Sequence, residues 1–161
     1  MSKKIMVLLG TLVLAGCAAH TQGERGPGAQ MTQSCAPIDE SGVAALFERW
    51  NQSLQTGKPD VVAKNYAERS ILLPTLSGVN RVSEAEKVDY FEHFLAAKPQ
   101  GRVTDRQITL GCNMAVDSGM YTFHMGSSGK EVGARYTYTY QWNGQDWLIV
   151  SHHSSLLPVD K

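Results

Sequence analysis

Between Asp39 and Gly57 the apolar residues Val43, Phe47, Trp50 and Leu54 recur at spacings of four, three and four. That rhythm is one face of an α-helix, with Asp39 as its N-cap and Gly57 as its stop. Lys58-Pro59-Asp60 opens a second, shorter helix running through Tyr66. Ser70 to Leu73 reads as a short buried strand ended by Pro74, and a polar loop follows to Val82. Ser83-Glu84-Ala85-Glu86 forms a capping box. The helix it starts carries Val88, Phe91, Phe94 and Leu95 on one face until Pro99 and Gly101 end it. From Arg102 onward the period changes to two. Strands fit at about 103–110, 112–117, 120–125, 131–142 and 146–155.

The last pair of strands flanks Asn143-Gly144, a hairpin signal because a type I′ turn needs positive φ at both central residues. Along the first of them Arg135, Thr137 and Thr139 share one face, and Tyr136, Tyr138 and Tyr140 share the other. One face lines a cavity and the other packs against a partner. Helices grouped on one side of an antiparallel sheet define an α+β domain, here three N-terminal helices on a curved, mainly antiparallel sheet. A strongly twisted sheet wrapped round helices leaves a cone, and pockets favour such mouths.

The N-terminus changes the setting. Lys3 and Lys4 precede an apolar run from Ile5 to Ala15 broken by Gly10 and Thr11. At roughly a dozen residues it falls short of the ~20 that a spanning helix needs, and reads as a secretory signal. Leu14-Ala15-Gly16-Cys17 resembles the lipobox of bacterial lipoproteins. The resemblance implies cleavage before Cys17 and its acylation. Ala18, where an Asp would imply inner-membrane retention, implies a periplasm-facing outer-membrane lipoprotein. More than one acyl chain suffices for stable anchoring. Residues 18–37, rich in Gly, Gln, Thr and Ser, form a tether, and 38–158 form a single domain. The chain carries 15 basic and 15 acidic side chains, with no basic footprint for nucleic acid. Cys35 and Cys112, an exported pair, are expected to form a disulfide.

The order of elements, with Phe47-Glu48-Arg49-Trp50-Asn51 on the first helix, resembles the NTF2-like superfamily, which includes SnoaL-like and ketosteroid-isomerase-like proteins. Tyr66, Ile71-Leu72-Leu73-Pro74, Asp89-Tyr90-Phe91-Glu92-His93-Phe94, Arg135-Tyr136-Thr137 and Trp147 through Ser155 are similar to the association (hub) domain of calcium/calmodulin-dependent protein kinase II and its free-standing bacterial relatives. The resemblance implies a cone-shaped α+β barrel that dimerises through its sheet, with further assembly of the dimers also implied. It also implies a pocket where an arginine on the penultimate strand, matched by Arg135, binds carboxylates. Ser154 stands where the kinase hub has an arginine, which makes such a site less cationic. Nothing resembles a kinase catalytic domain, so kinase activity is not implied.

Arg135 offers a guanidinium fork suited to carboxylates. By alternation alone it either reaches into the cavity or lies on the outer face, paired with an acid such as Glu131 or Asp146. His152 and His153 are adjacent on a strand, point to opposite faces and cannot readily share a metal ion. One faces the pocket, and the other packs or meets a partner subunit. The resemblance puts Tyr66 and Tyr90 at the pocket mouth, while aromatic core packing accounts for each equally well. Asp89 and Asp117 are the carboxylates nearest apolar segments, but Asp117 precedes Gly119 in an apparent turn, which disfavours a ketosteroid-isomerase-like base. No cofactor or metal is expected. The expected protein is a lipid-anchored homodimer or higher homo-oligomer binding a small anionic molecule through Arg135, Tyr66, Tyr90, His152 and His153. The rivals are a cofactor-free acid–base enzyme of SnoaL or ketosteroid-isomerase type and a purely structural scaffold.

Overall fold

The computed structural model describes residues 34–158. The expected signal peptide, Cys17 and most of the tether lie outside them. The elements run α1 (Glu40–Leu54), α2 (Pro59–Ala63), β1 (Tyr66–Leu73), α3 (Glu84–Ala96), β2 (Pro99–Gly111), β3 (Met114–Met125), β4 (Lys130–Trp142) and β5 (Trp147–Leu156). The strands form one sheet in the order β1-β5-β4-β3-β2. β1 lies parallel to β5 and the other pairs are antiparallel. This is the expected α+β class, with helices on a curved, mostly antiparallel sheet.

The helix signals operate as read. Asp39 accepts a hydrogen bond from Gly42 N–H at 2.7 Å, and the Ser83–Glu86 capping box is closed in both directions. Val43, Phe47, Trp50 and Leu54 are all buried against the inner face of the sheet. There they meet the tyrosines of β4, with Phe47 stacked on Tyr136 at 6.2 Å between centroids and Trp50 edge-on to Tyr138 at 5.7 Å. Asn51 clasps the start of β2. Its amide donates to Gly101 C=O and its oxygen accepts from Gly101 N–H, both at 2.8 Å. A Cβ at position 101 would lie 3.0 Å from the Phe123 ring and 3.2 Å from the Asn51 side chain, so glycine suits the close approach of helix and strand here.

Several features differ from the sequence expectation. α2 ends at Ala63, and Tyr66 begins β1 rather than ending a helix. Pro99 and Gly101 do not terminate α3 but belong to β2, an edge strand whose first position tolerates proline. The two strands expected at 112–117 and 120–125 are one strand, β3. Gly119 is therefore no turn. It faces a bulge between Val103 and Asp105 on β2, where a Cβ would lie 2.1 Å from the Asp105 carbonyl oxygen. The hairpin at Asn143-Gly144 is present but is not type I′. Only Gly144 has positive φ, and the Asn143 side chain accepts from Gln145 and Asp146 N–H at 2.8 and 2.7 Å. An Asx-type turn supplies the reversal instead.

A disulfide joins Cys35 to Cys112. Beside it, Asn113 accepts from Ala36 N–H at 2.7 Å and donates to Ser34 C=O at 3.3 Å. Ala36 and Ile38 pack on the core, so residues 34–37, expected in the tether, are fastened to the domain. The bridge closes a loop with a separation of 77 residues, a constraint worth roughly 4 kcal/mol on the chain-entropy account. Replacing Cys35 and Cys112 together by Ser should lower the unfolding free energy by about that amount, read as a lower urea midpoint. A midpoint equal to that of the wild type would contradict it.

Candidate functional site

The inner face of the sheet is more aromatic than α1 can cover, and the space left over is a cavity of about 250 Å³. Its walls are Trp50 from α1, Tyr90, Phe91 and Phe94 from α3, and Tyr121 and Phe123 from β3. Leu72, Pro74, Thr75 and Leu76 close one side, and His152, Ser154 and Leu156 of β5 close another. At the mouth Leu76 adopts φ of 59° with 87 % of its surface exposed, a left-handed conformation that costs a leucine about 1 kcal/mol or more.

His152 reaches this cavity because β5 carries a bulge. Tyr140 pairs with Ile149 but Thr139 pairs with Ser151, so Val150 is the extra residue. A strand of strict period two that buries Ile149 would bury Ser151 and His153. The bulge shifts the phase and turns His152 inward. His152 is only 4 % exposed, whereas His153 stands on the outer face in solvent. The His152 ring stacks on Tyr138 at 4.0 Å and meets Trp50 edge-on at 5.5 Å. Its Nδ1 is 2.8 Å from the Tyr66 hydroxyl, and its Nε2 is buried without a partner. Burial, followed by the nearby His153, depresses the His152 pKa to about 3, so the ring is neutral at ordinary pH.

Three hydroxyls of the cavity region satisfy one another. Tyr121 donates to Ser154 Oγ at 2.6 Å, and Ser154 in turn bonds Thr75. Tyr90 lines the cavity, and burial pushes its hydroxyl up to about 12. Tyr66 does not line it but supports His152 from behind, with Lys87 over its ring at 6.0 Å.

Arg135 is not among the residues that line this cavity. It lies exposed on the outer face beside Thr137, opposite Met120 and Ser155, and forms no ion pair among the described residues. Tyr136, Tyr138 and Tyr140 carry far more apolar surface than Arg135 and the threonines, so they take the inner face and alternation leaves Arg135 outside. Asp117 moves the other way. It is fully buried in mid-strand, accepting from Tyr136 at 2.9 Å and from Arg106 Nε at 3.1 Å, with its second oxygen unpartnered. Burial raises its pKa, against the Tyr136 and Arg106 contacts that lower it. Neither Asp117 nor Asp89, which is paired with Arg81 at 2.7 Å, lines the cavity. Trp50, Tyr121, Thr75 and Leu76 were not singled out from the sequence, where each reads as ordinary core or loop.

Helices filling a curved five-stranded sheet, with a cavity at one end, define the NTF2-like class. An NTF2-like protein of unknown function from Pseudomonas putida KT2440 superposes with a TM-score of 0.66 at 16% identity, over 79% of this chain and 92% of that one. An NTF2-like protein from Streptomyces avermitilis, described as a dehydratase, does so with a TM-score of 0.63 at 14% identity, over 73% and 94%. Within the class the assignment is narrower. The chain belongs to the calcium/calmodulin dependent protein kinase II association domain family, whose defining pattern matches residues 39–158. A protein from Xanthomonas campestris assigned to that association domain is 41% identical, with a TM-score of 0.70 over 80% of this chain and 98% of its own. No curated protein matches the sequence.

A depressed histidine pKa makes stability depend on acid in a defined direction. The unfolded chain takes up a proton on His152 below about pH 6.5, whereas the folded chain does so only near 3. This contribution is therefore intact above pH 6.5 and is lost as pH falls through the window, by at most about 1.4 kcal/mol per unit. Urea unfolding between pH 7 and 4.5 should show a steeper loss in the wild type than in His152→Phe. Equal slopes would contradict a neutral, buried His152.

Proposed function

We propose that this chain is a lipid-anchored, self-associating protein of the bacterial envelope whose domain binds a small, uncharged, largely apolar molecule. The observation that carries the ligand reading is the cavity itself, about 250 Å³ of mainly aromatic and aliphatic wall with no carboxylate, lysine or arginine in its lining. That volume lies just below the roughly 300–1,000 Å³ of sites for drug-sized ligands. An anionic ligand, implied by the family resemblance, finds little support in it. Arg135 is on the opposite face, and His152 is held neutral. The acid–base enzyme is also weakly supported, since no carboxylate reaches the cavity and a histidine titrating near 3 is a poor base at neutral pH.

Ethylbenzene should raise the melting temperature of the purified full chain in a concentration-dependent way, reaching about 2.7 kcal/mol of stabilisation at a hundred times its Kd. Benzoate, of similar size but charged, should not. Stabilisation by benzoate and not by ethylbenzene would reverse the ligand class.

Anchoring rests on the lipobox-like Cys17, and self-association on the outer sheet face that carries Met120, Arg135, Thr137 and Thr139. Cys17→Ser should move the protein from membrane to soluble fractions, where light scattering should give the mass of a dimer. Continued membrane association would defeat the anchor, and a monomer at tens of micromolar, a concentration typical of such measurements, would defeat the pairing.

A further inference from the structure

The polar inventory of the cavity is unbalanced. Tyr121, Ser154 and Thr75 form a chain of hydroxyls that satisfy one another. By contrast, His152 Nε2 and Trp50 Nε1 are buried without partners, and both residues line the cavity. The two rings stand nearly perpendicular, 5.5 Å apart between centroids.

The protonation pattern follows from counting. A neutral imidazole carries one N–H and one bare nitrogen. If Nδ1 held the proton and donated to Tyr66, the buried Tyr66 proton would have no acceptor among its hydrogen bonds, and Nε2 would be a buried bare acceptor. If Tyr66 donates to Nδ1, only one group is left over, an Nε2–H. Buried polar groups are expensive to leave unpaired, so the second arrangement is favoured. Trp50 Nε1–H can only donate. Both orphans are therefore donors.

We infer that His152 reads the ligand through its Nε2–H donor, selecting a neutral apolar molecule that carries a carbonyl or similar uncharged acceptor oxygen. The inference rests on the cavity reading above and narrows its ligand class. Tyr66 is a positioning residue that fixes the His152 tautomer from outside the cavity. A charged acceptor is disfavoured because the apolar walls offer no cation against the cost of desolvating it.

The test compares acetophenone with ethylbenzene, which differ chiefly in the carbonyl, by calorimetric titration of the purified full chain. Acetophenone should bind about tenfold more tightly, the size of one net hydrogen bond. In His152→Phe that preference should shrink to about threefold or less. In Tyr66→Phe, which frees Nδ1 to take the proton, the preference should also fall. Ethylbenzene binding with no preference for the ketone would overturn this inference alone, because the donors would then be satisfied by trapped water. Binding of neither compound would overturn the cavity reading and this inference with it. Should the variants fail to fold, nitrogen-15 spectra of the wild-type His152 ring decide. A protonated Nε2 supports the inference and a protonated Nδ1 overturns it.

Discussion

The contact on which the rest depends is the packing of the α1 stripe against the tyrosine face of β4. Phe47 lies 6.2 and 6.0 Å, centroid to centroid, from Tyr136 and Tyr138, Trp50 lies 5.7 Å from Tyr138, and each of these four rings is almost fully withdrawn from water. A single side chain of this size buries 150–250 Å², so these rings dominate the apolar area removed on folding. They also impose a cost. Tyr138 and Tyr140 bring hydroxyls into the interior without partners, as Trp50 brings its indole N–H. The domain accepts these unpaired groups where an all-aliphatic core would have none.

The cavity is a consequence of that packing. α1 covers the part of the sheet nearest β2 through the Asn51–Gly101 clasp, and α3 approaches the far end with Phe91 and Phe94. Rigid rings cannot be shortened or bent to fill the space between them, so a void persists where flexible aliphatic side chains would collapse. Charge is kept to its margins. Asp117 and Arg106 pair with each other and with Tyr136, and Asp89 pairs with Arg81 at the surface of α3. What faces the void is left neutral.

The helices were legible because their signals are local. Asp39, the Ser83–Glu86 box and the stripe from Val43 to Leu54 each act within a turn or two of chain. The class of fold followed from their order. The site was much less legible, for a physical reason that Thr104 and Val150 make plain. Each is the extra residue of a bulge, and each shifts the inward phase of its strand by one. The first turns Arg106 and Ile108 inward, and the second turns His152 inward. Alternation read from sequence assumes an unbroken phase, and nothing in Thr104 or Val150 announces the break. Asp117 was hidden by the opposite effect, since the turn suggested by Gly119 is an unbroken strand with a glycine accommodating a bulge across from it. Arg135 required no hidden information. The bulk of its tyrosine neighbours already argued for the outer face, and the family resemblance pulled it inward.

The bulge at Val150 has a further consequence written in the residues around it. The inward set on β5 is Ile149, His152, Ser154 and Leu156, and the residue after each is Val150, His153, Ser155 and Leu157. Shifted by one position, the strand would spell nearly the same message, with a second β-branched aliphatic, imidazole, hydroxyl and leucine. The wall chemistry is thus encoded twice between Ile149 and Leu157. Such redundancy buffers the cavity against a misaligned strand, and it transfers the task of alignment elsewhere. The paired rings of Trp142 and Trp147 at the closed end of the hairpin are the unrepeated characters that tell the two readings apart.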